Sequence, residues 1–443
     1  MQGVRSSDLE ILGFRVARAA DGYLSRLRIV KSAARRPLKR PVLVLGWISR
    51  IVVAVARSLQ KQGIPVDAAT FVPSLISSRA IREFRRIPHP KLDPVGFVIY
   101  LRDFVRQGGH DMLIPADDQA LVAITRHYAD LNAHIRLACP APEITSLVLD
   151  KASTLEVAQK CGIPIARTKL ISSSSELLES VSNMPFPWIL KPSRKEMNVE
   201  EVKSLMLSTT AQLALKFPKP RDFSTPMLLQ EFCAGTGVGV ELLMHDGECC
   251  AVFQHRRLKE FPHTGGVSVT AIAEQRNVEL VDMARNLLQA LGWEGPAMVE
   301  FKVDPRSGRP VLLEVNGRYW GTISLPIMSG IDFPFYHWQV VHGEQPVVPE
   351  QYAVGTRWRW TSGHLARLNG LLIAARRSGV AREEVFKALS NFSSCFDADA
   401  HDPLLMATDP MPAVLDLAHI LKYLVASDMD ILIKSLLRRR GQQ

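Results

Sequence analysis

Little in this sequence suggests disulfides, metal clusters or a membrane span. Its six cysteines (Cys139, Cys161, Cys233, Cys249, Cys250 and Cys395) are scattered without CxxC pairing or zinc-ligand spacing. Dispersed thiols in a 443-residue chain fit a reducing compartment, so cytoplasmic residence is expected. No uninterrupted apolar run approaches the ~18–20 residues that cross a bilayer as a helix. The first residues, MQGVRSSDLE, lack the continuous apolar core of a secretory signal. A GxGxxG fingerprint is missing too: the turn after the first apolar strand reads GWISR, which excludes a dinucleotide site of that type. Aromatic residues nowhere interleave with basic ones as in a nucleic-acid platform.

Positive charge is present but unevenly placed. Of the net +10, residues 1–40 carry +7, from ten Lys/Arg against Asp8, Glu10 and Asp21. The remainder is nearly balanced, which argues against nucleic acid as a partner. The basic arm has an apolar stripe at helical spacing (Leu9, Leu12, Val16, Ala19, Tyr23, Leu27 and Val30), weakened by Gly13 and Gly22. The favoured reading is a helix packed on the next domain or a partly ordered tail. Contact with an anionic membrane surface or a partner protein is the alternative.

From Pro41 the pattern alternates strand and helix. Strands are expected at 42–46, 66–71, 112–115 and 135–139, with helices at 49–61, 94–106 and 118–131. Such alternation implies an open, parallel α/β sheet. Asp117 and Asp118, at the end of the third of these strands, read as helix caps or as substrate contacts.

The most informative stretch is MVEFKVDPRSGRPVLLEVNGRYWG, residues 298–321. It reads as two strands joined by a turn near Ser307, which sets Glu300 opposite Glu314, with Asn316 on the same face. Facing carboxylates destabilise a sheet. A divalent cation resolves that conflict, and two carboxylates with an amide oxygen suit magnesium. Neutralisation by Lys302 or Arg309 on a solvated face is the other solution.

LLEVNGR, with an upstream Glu one hairpin away, resembles the metal-binding end of the ATP-grasp superfamily. That resemblance implies an ATP-grasp fold in an α/β chain, with an open pre-grasp domain before it and a mostly helical region after it. The implied segments are an extension at 1–40, the pre-grasp domain at 41–140, the grasp domain at 141–345 with a hinge near 230–235, and helices over 346–443. It further implies that Glu300, Glu314 and Asn316 hold Mg2+ (or Mn2+) on ATP phosphates and that Arg318 steadies the transferred phosphoryl group. The blocks LVLDKASTLEVAQKCGIPIARTKLI and PFPWILKPSR are similar to the family as well, and place Lys151 and Lys191 on the phosphates. Gln230, Glu231, Phe232 and Cys233 would line the adenine at the hinge. The run Gly235 to Gly239 lacks a Lys-Ser/Thr pair and a following helix, and so reads as a tight connection into the strand 240–244.

One departure is plain. Where many members have a glycine-rich loop over the phosphates, this chain has SRKEMNVEEV, in which Arg194 and Lys195 would substitute charge. His255 and Arg257 share a strand face that resembles the region facing the acyl acceptor. Arg257 suits a carboxylate, and His255 or His263 would serve as base. The resemblance therefore implies a ligase that activates a small carboxylate as an acyl-phosphate for attack by an amine, releasing ADP. Activation of bicarbonate, as in carbamoyl-phosphate synthetases or carboxylases, is one alternative. A nucleotide-binding regulatory subunit, held at a membrane by the arm, is another. A homodimer is left open.

Overall fold

The structure is a computed structural model that describes residues 39–72, 75–182, 186–195, 204–261, 266–378, 399–422 and 424. The expectations for the arm before Lys39, for His263, for the loop from 196 on and for the helical region at 379–398 and beyond 424 lie outside the described residues.

Alternation at the start of the chain produces a five-stranded parallel sheet: β1 (Val42–Leu45), β2 (Val66–Thr70), β3 (Glu83–Arg86), β4 (Met112–Pro115) and β5 (Arg136–Leu137), in the order β3-β2-β1-β4-β5. The strand order reverses between β1 and β4. β3 has no counterpart in the sequence reading, because its Glu-Phe-Arg-Arg run has no buried stretch to announce it. The helix Pro94–Gly108 starts on an Asp93 cap with proline next, and ends at left-handed Gly109 (φ 63°). The single helix expected at 118–131 is two, Asp118–Arg126 and Tyr128–Asn132. They part at His127, whose ring packs 5.5 Å from Phe97.

An antiparallel four-stranded sheet follows: β6 (Thr168–Ser173), β7 (Trp188–Pro192), β8 (Leu205–Leu207) and β9 (Asp222–Glu231), ordered β6-β9-β7-β8. It owns a separate apolar core built on Trp188, Leu190, Leu229 and Phe217. The largest sheet comprises β10 (Thr236–His245), β11 (Glu248–Phe261), β12 (Val267–Ala273), β13 (Gly295–Val303), β14 (Pro310–Asn316), β15 (Arg357–Arg359) and β16 (Ala400–His401), ordered β14-β13-β10-β11-β12-β15-β16. Helix Val278–Ala290 covers one face through Leu280, Ala284, Leu287 and Leu288.

The other face shares one continuous core with the five-stranded sheet. Val42, Val44 and the helix Ser49–Lys61 meet Phe253, Val269, Tyr319, Trp320, Phe333, Trp358 and Trp360 there. The region after 346 contributes Trp358 and Trp360 to this core, besides the helix Thr361–Ser378 and two short strands. Burial of this kind fixes the first sheet against the hairpin. Among the described residues, no helix is long and apolar enough to cross a membrane.

Candidate functional site

The hairpin forms in the expected register. β13 and β14 are antiparallel with Glu300 opposite Glu314 and Met298 opposite Asn316, and a bulge follows Glu300. A bulge turns the strand locally and re-aims the side chains beside it. The Asn316 amide nitrogen donates to Glu300 Oε1 at 2.8 Å and approaches Glu314 Oε1 at 3.5 Å, tying the three residues together.

Basic groups from four separate segments relieve the repulsion. Lys195 Nζ donates to Asn316 Oδ1 at 2.8 Å and to the Val315 carbonyl at 3.2 Å. Arg318 Nη2 donates to the same Asn316 oxygen at 2.9 Å. Arg257 pairs with Glu300 Oε2. Burial opposes the charged form of Glu314, yet the ammonium groups of Lys195, Lys151 and Lys191 hold its carboxyl down to about 2. Neutralisation by Lys302 is not what the structure shows at the pair: Lys302 turns to Glu260 Oε2 and the Gly235 carbonyl, each at 3.3 Å.

Local backbone geometry explains why the lysines converge. Lys151 opens the helix Lys151–Lys160, which Asp150 caps, and its amide donates to the Ser193 carbonyl at 2.8 Å. Its Nζ lies 3.3 Å from the Pro192 carbonyl. The Lys195 amide donates to Leu149 O, and Arg194 reaches back to Asp150 at 3.1 Å. The end of β7, carrying Lys191, is thereby clipped to the start of that helix. Burial lowers both Lys151, to about 8, and Lys191, with Glu314 opposing in each case. Arg194 leans outward to Asp150, so of the two charges expected to replace loop glycines only Lys195 enters the site.

The first sheet supplies an acid that the sequence reading left between two roles. Asp117 is the helix cap, accepting from Ala120 N at 3.0 Å and Trp47 N at 2.8 Å. Asp118, one residue later, accepts from Arg318 Nη2 at 2.7 Å and pairs with Lys195 at 3.3 Å. Those two cations hold its carboxyl well below the ordinary range against the opposing effect of burial.

On the same face, β10 presents glycine at alternate positions beside the paired strand β11. An added Cβ at Gly237 would meet Arg257 Cδ at 2.9 Å, and one at Gly239 would meet His255 Cε1 at 2.5 Å. The run 235–239 is therefore strand from Thr236 onward, rather than a connection. Its bare positions form a lane across which Arg257 reaches Glu300. His255, also buried, contacts Glu241 through Nδ1, while His255 Nε2 and Glu241 Oε2 have no hydrogen-bond partner. Glu241 was not foreseen. The alternate glycines were the sequence signal for this arrangement.

At the end of β9, Gln230 is buried, and its side-chain nitrogen donates to Thr168 Oγ1 at 3.0 Å across β6 and β9. The Glu231 amide donates to Arg167 O and the Phe232 amide to Pro187 O. Those two amides are committed, and Cys233, half-buried, follows them. The segment between Glu231 and Thr236 thus links β9 of the small sheet to β10 of the large one.

No three His, Cys, Asp or Glu side chains converge as a metal cage among the described residues. Glu300, Glu314 and the Asn316 oxygen are nonetheless a hard-oxygen set, and magnesium takes few protein ligands and completes its shell with water and phosphate oxygens. The lysines and arginines around them suit those phosphates. The residues present fit a magnesium–polyphosphate.

Three sheets in this order, with facing acids, an asparagine and converging lysines between them, give the chain an ATP-grasp fold. More particularly, residues 223–363, which hold the hairpin, match the family described as ATP-grasp in the biosynthetic pathway with Ter operon. The chain is 23% identical over 187 residues to D-alanine–D-alanine ligase B of Pseudomonas putida, covering 39% of this chain and 55% of that protein. It spans about half the length of the curated relatives it matches. In structure it is similar to an L-amino acid ligase from Bacillus licheniformis, with a TM-score of 0.55 and 17% identity over 68% of this chain and 74% of that one. It is likewise similar to the N5-carboxyaminoimidazole synthetase of Staphylococcus aureus complexed with ADP, with a TM-score of 0.55 and 12% identity over 74% and 83% of the two chains.

Proposed function

We propose that this chain is an ATP-dependent, magnesium-requiring ligase that activates a carboxylate as an acyl-phosphate for attack by an amine, releasing ADP and phosphate. The observation that carries this reading is the Glu300–Glu314 pair held with Asn316 inside a ring of Lys151, Lys191, Lys195, Arg257 and Arg318.

In this reading Glu300, Glu314 and Asn316 hold the magnesium, which when bound offsets charge on the phosphates. Lys151 and Lys191 bind phosphate oxygens as compact point charges. Arg318, fixed by Asp118, presents its guanidinium to the phosphoryl group as charge develops during transfer. Arg257, anchored on Glu300, orients the acid beside that group. His255, whose Nδ1 is occupied by Glu241, offers Nε2 to the proton of the incoming amine. The hinge from Gln230 to Cys233 receives the adenine, with the Glu231 and Phe232 amides already used inside the fold.

The test is release of ADP and phosphate by the full chain over pairs of small carboxylates and amines, with Glu314→Gln as control. Turnover that requires both substrates and falls about a hundredfold or more in the variant supports the ligase. Full magnesium-dependent turnover in Glu314→Gln would refute the metal assignment.

A further inference from the structure

Arg50 is the second residue of the helix that follows β1, on the side of the first sheet where the strand order reverses. Its guanidinium carbon stands 4.1 Å from the centre of the Trp360 ring. The Nε–Nη2 edge of the guanidinium also comes up against the chain at Gly321, where an added Cβ would come within 3.0 Å of Nε and 3.1 Å of Nη2. A side chain there would push the guanidinium aside by a few tenths of an ångström. Asp416, whose charge also acts on Arg50, accepts from Ser49 Oγ at 3.1 Å and from Trp360 Nε1 at 2.7 Å and makes no ion pair with Arg50.

Among the described residues Arg50 makes no hydrogen bond or ion pair, and its Nε is a buried donor without an acceptor. Arg318, three residues before Gly321, has a buried Nε in the same condition. A stacked arginine with a purely structural role would turn its fork to an acceptor, because an unpaired buried donor costs free energy. A cation with unused donors is instead stabilised by an anion, and a planar fork backed by an indole matches a carboxylate or phosphate.

We propose that Arg50, seated on Trp360 beside Gly321, receives an anionic group of the acceptor substrate, a carboxylate or a phosphate remote from its reacting atom. This rests on the ligase reading, and it narrows the acceptor to a molecule that carries a negative charge besides its amine. Arg50 thereby selects substrate rather than nucleotide.

The experiment measures equilibrium binding of succinate and of inorganic phosphate to the full chain, and separately binding of a fluorescent ATP analogue with magnesium. Wild type is expected to bind one of the two anions, and which one binds identifies the group. Arg50→Gln is expected to weaken that anion about tenfold or more, with Arg50→Lys between the two. Gly321→Ala, which keeps the charge but displaces the guanidinium, tests the same seat if Arg50→Gln does not fold, and is expected to weaken the anion as well. Nucleotide affinity should stay within about twofold in every variant. The proposal is overturned if neither anion binds wild type, if Arg50→Gln binds as well as wild type, or if nucleotide affinity falls in parallel. None of these outcomes depends on turnover, so a failure of the ligase reading shows itself separately, as absence of ADP release.

Discussion

The ammonium of Lys195 lies 2.8 Å from the side-chain oxygen of Asn316, while the asparagine nitrogen faces Glu300. A positive charge thus already covers the oxygen that would complete a set of three metal ligands. Cation binding must displace it and turn the amide. Lys195→Met is therefore expected to bind Mn2+ about tenfold more tightly in the absence of nucleotide, the effect of removing one charge interaction of ~1.4 kcal/mol. Titration followed by the paramagnetic signal of free Mn2+ measures this. Equal affinity in variant and wild type would mean that Lys195 is no competitor for the cation.

Lys151 yields a prediction about protons. Burial lowers it to about 8, with Glu314 opposing and Lys195 and Lys191 adding to the depression. Between about 8 and its ordinary value near 10.5 the unfolded chain binds more protons, so this group makes stability rise with pH in that window. A bound polyphosphate favours the charged form. At pH 8, nucleotide binding should therefore take up as much as about half a proton through Lys151. Calorimetry in two buffers of different ionisation enthalpy reads that uptake. Its persistence in Lys151→Met would assign the proton to another group.

Much of this site was legible in the sequence, for identifiable reasons. A hairpin's register follows from its turn and its alternation, so the sequence alone places Glu300, Glu314 and Asn316 together. The ends of β1, β4 and the helix Ser49–Lys61 were also readable, because buried parallel strands are short apolar runs. Asp118 and Arg50 were not assigned. Each sits at the start of a helix, and what it faces depends on a core shared between two sheets, which no local pattern encodes. Glu241 was missed because an acid in an apolar strand carries no sign of the histidine on the neighbouring strand. Gln230 shows the converse: its type suited a hinge contact, but its amide is spent on Thr168.

Asp118 and Arg318 join the first sheet to the hairpin across 200 residues of sequence. Removing Asp118 leaves Arg318 with neutral acceptors only, and removing Arg318 leaves Asp118 with Lys195 alone. Asp118→Asn and Arg318→Gln should each destabilise more than the pair is worth. The double variant should recover a coupling of about 1–3 kcal/mol. Urea unfolding of the four proteins, followed by tryptophan fluorescence, closes the cycle. Additive effects would show that the contact does not couple the two elements.

Gly239 separates stability from chemistry on the floor of the site. A methyl group there would lie 2.5 Å from His255 Cε1, 2.9 Å from His255 Nδ1 and 3.1 Å from Met298 Sδ. Met298 is unbranched and can give way, but the imidazole is rigid and held by Glu241. The ring must tilt, leaving a carboxylate whose pKa burial already raises without its partner. Gly239→Ala is expected to lose about 1–3 kcal/mol in thermal unfolding. At Gly237 the same methyl meets the flexible stem of Arg257 at 2.9 Å, and swinging that stem aside removes the guanidinium from Glu300. Gly237→Ala should therefore unfold near the wild-type temperature while its requirement for the carboxylate substrate weakens. The reverse assignment of the two effects would mean that the glycine lane serves packing at 237 and substrate at 239, and that Arg257 does not orient the acid.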